Sequence, residues 1–314
     1  MEKTGPILIE TPLLHSIETK SMTTQKSRVA ILGTGNIGTD LLIKTMRSDV
    51  LECVLFVGRN LRSDGMQKAS LLGVPISDRG LASIVQNTKN IDIVFDATSA
   101  AAHIDHWPVL KQLGKTVIDM TPAKIGELCV PAINAEQILV SRAQNINMIT
   151  CGGQASVPIA NAIAAVQDDI EYIEVASSIA SRSAGPATRA NLDEYIEATE
   201  QALIKFSRAR QAKAILILNP ARPPIDMQTT IYAKIANPDL LAIRASVDAM
   251  MKRITQYVPG YQLIVPPTIE GGKVIITVKV FGNGDYLPRY AGNLDIINCA
   301  AIGIAERIAR QRTE

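Results

Sequence analysis

Cysteine is scarce in this chain: four in 314 residues, at Cys53, Cys129, Cys151 and Cys299, with no CxxC pair among them. That is too few and too scattered for a disulfide scaffold, and it suits a reducing cytosol, so a cytoplasmic protein is expected. Long apolar runs are missing as well; no stretch approaches the roughly 18 residues that span a bilayer. Nor is there an excess of charge. The 32 Lys and Arg against 30 Asp and Glu leave a formal net charge of +2, and they are dispersed, which excludes the basic footprint of a nucleic-acid or anionic-membrane partner. Histidine is rarer still: His15, His103 and His106 all precede Cys151. Chemistry on small molecules is what these absences leave standing.

What is present describes a globular protein with room for two domains: 47% hydrophobic and 20% charged residues. Residues 1–22 carry an early acidic residue, a Pro-interrupted apolar stretch and no small-residue cleavage site, so they read as an N-terminal extension rather than a secretory signal. From Arg28 the chain alternates short apolar strands with helical patterns. RVAIL (28–32), ECVLFVG (52–58), IDIVFDATS (91–99), KTVIDMT (115–121) and NINMIT (145–150) read as strands, and TDLLIKTMR (39–47) as a helix. Continuous apolar strands separated by helices imply a parallel sheet covered on both faces. A doubly wound α/β domain of the Rossmann type is expected over 23–151.

The texture then changes. Helices are expected over 156–167, 191–211 and 238–257, and strands over 171–180, 213–219, 227–235, 261–265 and 273–282, several with polar alternation. Such strands imply an antiparallel or mixed sheet with one solvated or interface face, hence an α+β substrate and dimerisation domain over 152–292 and a homodimer through that sheet. A last helix, about 293–312, is expected to return to the first domain.

Gly33, Gly35 and Gly38 form a GxGxxG pattern between a strand and a helix, the context in which the pattern marks a dinucleotide site. Glycines permit the tight turn and the approach of a pyrophosphate, and the helix N-terminus offers free N–H groups. A tight turn without cofactor is the alternative. The second strand ends in FVGRN, so Arg59 and Asn60 stand where an NAD-binding carboxylate is expected. Arg59 there can accommodate a 2′-phosphate, which leaves NAD or NADP open; Glu52 and Asp64 lie close enough to blur the register.

Cys151 follows the last parallel strand and precedes Gly152, Gly153 and a helix. A thiol in that place can be a buried structural residue. It can also be a nucleophile, because a helix N-terminus favours thiolate and the amides of Gly152 and Gly153 can support an oxyanion. Facing a nicotinamide, such a thiol adds to an aldehyde, gives up hydride and retains an acyl thioester, which phosphate or a second thiol then releases. Cys53, Cys129 and Cys299 read as structural. With no histidine in the second half, thiolate formation rests on the helix and its amides. His103 and His106, spaced i, i+3, read as surface or capping residues rather than metal ligands, and no metal is expected. A fold retained for cofactor binding without turnover stays possible on these residues alone.

Several long motifs together resemble the acylating acetaldehyde dehydrogenases, the bacterial family partnered with 4-hydroxy-2-oxovalerate aldolase. They are GTGNIGTDL (33–41), FDATSAAAH (95–103), IDMTPAKIG (118–126), MITCGGQASVP (148–158), SIASRSAGPATRANLDEY (178–195), NPARPP (219–224), YVPGY (257–261) and YLPRYAGNLDI (286–296). The resemblance implies the two-domain architecture of the glyceraldehyde-3-phosphate dehydrogenases and conversion of a short aldehyde and coenzyme A to acyl-CoA. It implies that Cys151 carries the acyl group. It also implies that Thr34, Gly35, Asn36 and Ile37, the loop Arg182, Ser183, Ala184, Gly185, Pro186, Ala187, Thr188, Arg189 and Ala190, and Asn293 contact the cofactor. From its residues alone the loop can be a connector and Asn293 a helix cap. Ala187 stands where the family has a second glycine; a need for positive φ there would force the loop to shift.

Overall fold

In the computed structural model, Met1 and residues 25–313 are described. The N-terminal extension over 2–22, with His15, lies outside the described residues.

The first half runs β1 (Ser27–Leu32), α1 (Asn36–Arg47), β2 (Leu51–Val57), α2 (Asp64–Leu71), β3 (Ile76–Ser77), α3 (Leu81–Gln86), β4 (Ile93–Asp96), α4 (Ala100–Gln112), β5 (Thr116–Asp119), β6 (Glu127–Leu128), α5 (Pro131–Ser141) and β7 (Asn145–Asn147). Its strands form one seven-stranded sheet, every pair parallel, in the order β3-β2-β1-β4-β5-β7-β6. The unbroken apolar run of β1 has a direct cause. Val29 and Ile31 pack into the core on one side of the sheet, Ala30 and Leu32 into the core on the other, so none of these four can be polar.

The second half continues with α6 (Cys151–Ala164), β8 (Tyr172–Ala180), α7 (Pro186–Ala190), α8 (Leu192–Ser207), β9 (Gln211–Asn219), β10 (Met227–Lys234), α9 (Leu240–Ile254), β11 (Tyr261–Glu270), β12 (Lys273–Val280) and α10 (Gly292–Thr313). Its strands order as β11-β12-β10-β8-β9, antiparallel except for the parallel pair β8 and β9. Ile173, Val175 and Ile179 of β8 point into the core under α6 and α8, while Glu174, Ala176 and Ser178 are only half-buried on the other face. That alternation is the period of a one-sided sheet. Four isoleucines, Ile215, Ile217, Ile264 and Ile269, remain 39–47% exposed at its two edge strands.

Helix α10 closes the chain back onto the first sheet: Ile297, Ala300, Ala301, Ile304 and Ala305 share a core with Val29, Ile31 and Leu42. Each fully buried Ile contributes about 1.5–3 kcal/mol relative to exposure. A buried Lys44 on α1 ties the same helices electrostatically, with Nζ 2.9 Å from Asp40, 2.7 Å from Asp295 and 3.0 Å from Asp285. No described helix is long and apolar enough to cross a membrane.

The expected strands over 91–99, 115–121 and 145–150 shorten to β4, β5 and β7, because their last residues turn into loops at the sheet's carboxyl edge. The helix expected from 156 begins at Cys151 itself. Residues 191–211 divide into α8 and the start of β9, separated by Arg208 in the left-handed region, with φ 57°.

Candidate active site

Strand order reverses between β1 and β4, and the loops that follow them open a crevice at the carboxyl edge of the sheet, the usual ligand position in such folds. Of the three loop glycines, two are forced by space. A Cβ on Gly33, whose φ is +110°, would lie 2.4 Å from the carbonyl oxygen of Ala97, and one on Gly38 would lie 1.8 Å from that of Gly33. Gly35 differs: nothing lies within 4 Å of where its Cβ would stand. It caps α1 without any side-chain hydrogen bond, so the first-turn N–H groups face open space on that side. Open ground above the second glycine is what a pyrophosphate needs, and the loop therefore fits a dinucleotide. Thr34 lies against Gly58 at the end of β2, and its hydroxyl is 3.4 Å from that of Ser63. Arg59 is exposed directly after this contact. Glu52 stands at the opposite end of β2, paired in register with Arg28, and so cannot serve the glycine loop. Asp64 starts α2, behind Ser63.

The far wall of the crevice is the start of α6. Thr150 is its N-cap, its hydroxyl accepting the Gly153 N–H at 2.9 Å, and Cys151 is the first helical residue. The turn that delivers the thiol is strained: Ile149 has φ +62°, unusual for a β-branched side chain, and is held there by the Asn147 side chain accepting its N–H at 2.9 Å. Cys151 is half-buried and lines the crevice with Ile37, Thr98, Thr121, Thr188 and Asn293, whereas Cys53, Cys129 and Cys299 are buried in the cores. Burial pushes the Cys53 thiol up to about 12, and raises those of Cys129 and Cys299 further.

Two expectations at the thiol are corrected. The amides of Gly152 and Gly153 are not open to an oxyanion: Gly153 N–H is spent on Thr150, and Gly152 N–H donates to the Tyr195 hydroxyl at 2.9 Å. The Cys151 thiol is also not depressed in the folded chain. Burial pushes it up, while the Tyr195 hydroxyl and the amides of Gly152 and Cys151 pull it the other way. Tyr195, on the first turn of α8, stands with its oxygen 3.7 Å from Cys151 Sγ. It belongs to the motif quoted above, yet nothing in its spacing marks it as part of the site.

The cofactor loop divides. Arg182 lines a hollow beside Asn36, and Thr188 reaches the crevice. Ser183 and Ala184 are buried; the Ser183 hydroxyl donates to the Ala180 carbonyl at 2.8 Å. Arg189 turns back on its own loop, donating to the Ser181 carbonyl at 3.0 Å and to that of Ala184 at 3.2 Å, so its guanidinium braces the loop instead of facing a ligand. Gly185 precedes α7, and Ala187 lies within that helix, with Pro186 at its start and Ala190 at its end. A helical position suits alanine, which removes the need for positive φ. Asn293 sits in the first turn of α10, 1% exposed, its Nδ2 3.5 Å from the Ser183 carbonyl. Its Oδ1 has no hydrogen-bond partner among the described residues, and the residue lines the crevice beside Cys151. A buried orphan acceptor there fits a nicotinamide carboxamide better than a helix cap.

Behind the crevice lies a buried polar network. His103 and His106 both bring Nδ1 within 2.9 Å of Asp96 Oδ2, His103 Nε2 is 3.4 Å from Asp119, and Asn147 donates to Asp119 at 2.7 Å. His103 is fully buried, so its expected surface role is wrong; the carboxylate at the end of β4 draws it inward. Asp96 accepts the hydroxyl and amide of Thr98, and Asp119 the amide of Thr121, which holds two crevice-lining loops in place. The signal was an Asp closing each of two apolar strands. Burial acts against the ionised form of Asp96, but the two histidines and Thr98 outweigh it and hold the carboxyl down at about 2. At Asp119 burial prevails and raises it to about 6.

Residues 151–288 match the family described as prokaryotic acetaldehyde dehydrogenase, dimerisation, and residues 28–141 match the semialdehyde dehydrogenase NAD-binding domain. The chain is 66% identical over 288 residues to an acetaldehyde dehydrogenase of Pectobacterium atrosepticum, covering 92% of this chain and 97% of that one. It is 57% identical over 287 residues to an acetaldehyde dehydrogenase of Spirochaeta aurantia, covering 91% and 96%. Among solved structures, aspartate semialdehyde dehydrogenase II of Vibrio cholerae complexed with ASA superposes with a TM-score of 0.61 at 16% identity, over 91% of this chain and 99% of that one. The NADP-bound aspartate semialdehyde dehydrogenase of Candida albicans does so with a TM-score of 0.62 at 12% identity, over 90% and 99%. The two-domain fold is thus that of the semialdehyde dehydrogenases, and by its sequence the chain belongs to the prokaryotic acetaldehyde dehydrogenase family.

Proposed function

We propose that the protein interconverts a short aldehyde, coenzyme A and NAD(P)+ with acyl-CoA and NAD(P)H, with Cys151 as the residue that carries the acyl group. The observation that carries this reading is a half-buried thiol at a helix N-terminus in the crevice lined also by Ile37 of the glycine loop and by Asn293, whose Oδ1 is unpartnered among the described residues. Gly33 to Gly38 would cradle the pyrophosphate, Arg182 would flank it, and Asn293 would meet the carboxamide. The bound nicotinamide supplies a hydride acceptor. Cys151 Sγ bonds the aldehyde carbon, hydride loss leaves the acyl thioester on sulfur, and the thiol of coenzyme A takes the acyl group away.

The test is Cys151→Ser, assayed for NAD(P)H formation from acetaldehyde with coenzyme A as sole acceptor. Acyl transfer should vanish while cofactor binding, followed by fluorescence quenching, stays intact; near-normal turnover overturns the assignment. Phosphate as sole acceptor separates the phosphorylating alternative. Arg59 favours use of NADP: Arg59→Ala should weaken NADP much more than NAD, and equal effects on both remove its role at a 2′-phosphate. The half-buried outer face of the second sheet, with its exposed isoleucines, supports a homodimer through that face. An aldolase partner would supply the aldehyde.

A further inference from the structure

The contacts around Cys151 leave one hydroxyl proton directed at the reacting sulfur. Thr199 donates its proton to the Tyr195 carbonyl at 2.8 Å, so in its 2.7 Å contact with Thr150 the threonine at 150 is the donor. Thr150 in turn accepts the Gly153 N–H. These bonds clamp the first turns of α8 against the start of α6 and set the Tyr195 side chain, which is 7% exposed. The phenol oxygen accepts the Gly152 N–H at 2.9 Å, and its own O–H is then free to be given to Cys151 Sγ, 3.7 Å away. Gly152 is a glycine for this reason: a Cβ there would lie 2.1 Å from the phenol oxygen. Burial, and after it the neighbouring Cys151, push the phenol well above its ordinary range, so it keeps its proton.

We propose that Tyr195 is a catalytic hydrogen-bond donor, giving its O–H to the Cys151 thiolate in the free enzyme and to the aldehyde oxygen once carbon is bonded to sulfur. The proposal rests on the acylating reading above. Ionisation releases the Cys151 proton to solvent. The sulfur lone pair then forms the S–C bond as the carbonyl π pair moves to oxygen, and Tyr195 bonds that oxygen without losing its proton. When hydride leaves to NAD(P)+, which is reduced, the pair returns to re-form the carbonyl of the thioester, and the bond to Tyr195 weakens. A donor that is stronger for the intermediate than for either carbonyl lowers the barrier in both directions. The amide of Gly152, denied direct access to the substrate, acts through the phenol it polarises.

Tyr195→Phe keeps the ring and removes the donor. Two readouts follow. The pH dependence of Cys151 alkylation by iodoacetamide in the cofactor-free protein, read by mass spectrometry of the Cys151 peptide, should move upward by about one unit. The kcat for acetaldehyde with coenzyme A should fall by roughly 10²- to 10³-fold, with NAD(P) binding unchanged. An unmoved alkylation profile together with a kcat within threefold of the parent overturns the proposal. If the variant does not fold, 3-fluorotyrosine placed at residue 195 preserves shape while making the phenol more acidic; the pH–rate profile should then shift, and an unshifted profile overturns the proposal. A parent protein that makes no NAD(P)H from aldehyde and coenzyme A defeats the acylating reading instead, whereas the alkylation profile still reports on the bond between Tyr195 and Cys151.

Discussion

Gly152→Ala is the most exposed consequence of the packing at the start of α6. Its Cβ would stand 2.1 Å from the Tyr195 phenol oxygen and 3.2 Å from both Tyr195 Cζ and the Ser177 hydroxyl. Such a contact relaxes only near 3.5 Å, so the phenol must retreat by roughly 1 Å or more. It has little freedom to do so, because Tyr195 is buried and α8 is clamped to α6 through Thr199 and Thr150. Overpacking costs about 1–3 kcal/mol, and losing the Gly152 N–H bond costs about 0.5–1.5 kcal/mol more. Alanine recovers about 0.5–1 kcal/mol as the better helix residue. Overpacking wins, and the net is about 2 kcal/mol of destabilisation. With an unfolding entropy of about 2.1 cal/mol/K per residue over 314 residues, that lowers Tm by about 3 °C. A phenol displaced from the sulfur should also lower kcat by about 10²-fold. Differential scanning calorimetry and steady-state turnover read both quantities. A variant that melts within 1 °C of the parent and turns over normally would refute the placement of Tyr195 over Gly152.

Two further outcomes follow from the same structure. Gly35→Ala meets no atom within 4 Å and has φ −76°, which alanine accepts, so the melting temperature should hold while NAD(P) affinity drops at least tenfold; unchanged affinity would remove the pyrophosphate from this loop. Asp119 is raised from its ordinary value of 3.8 to about 6, so the folded state prefers its protonated form. Its contribution to stability is therefore full below about pH 4 and is lost as pH rises to about 6. Asp96, held down at about 2, behaves oppositely, its contribution present above about pH 4 and lost as pH falls towards 2. Denaturant unfolding of Asp119→Asn should show the stability loss between pH 4 and 6 diminished and the loss below pH 4 retained; a slope unchanged between pH 4 and 6 would exclude Asp119 as its source.

The amino-acid sequence by itself determined the parallel sheet, the glycine loop, the thiol placed in the crevice and the family. These rest on local rules: a stretch of strand buried on both faces must be apolar, as over 29–32 of β1, and a strand-to-helix turn closed to less than a Cβ width must be glycine, as at Gly33 and Gly38. Only the tertiary structure decided what surrounds the sulfur. Tyr195 lies 44 residues from Cys151, and His103 lies 16 residues from Asp119. No periodicity links such pairs, because their meeting depends on how separate helices dock on the sheets. The same docking spends the Gly152 amide on Tyr195 and lets burial outweigh the helix terminus at the thiol. A motif names the residues of a site, but hydrogen bonds are finite, and the packed chain assigns each donor to one acceptor.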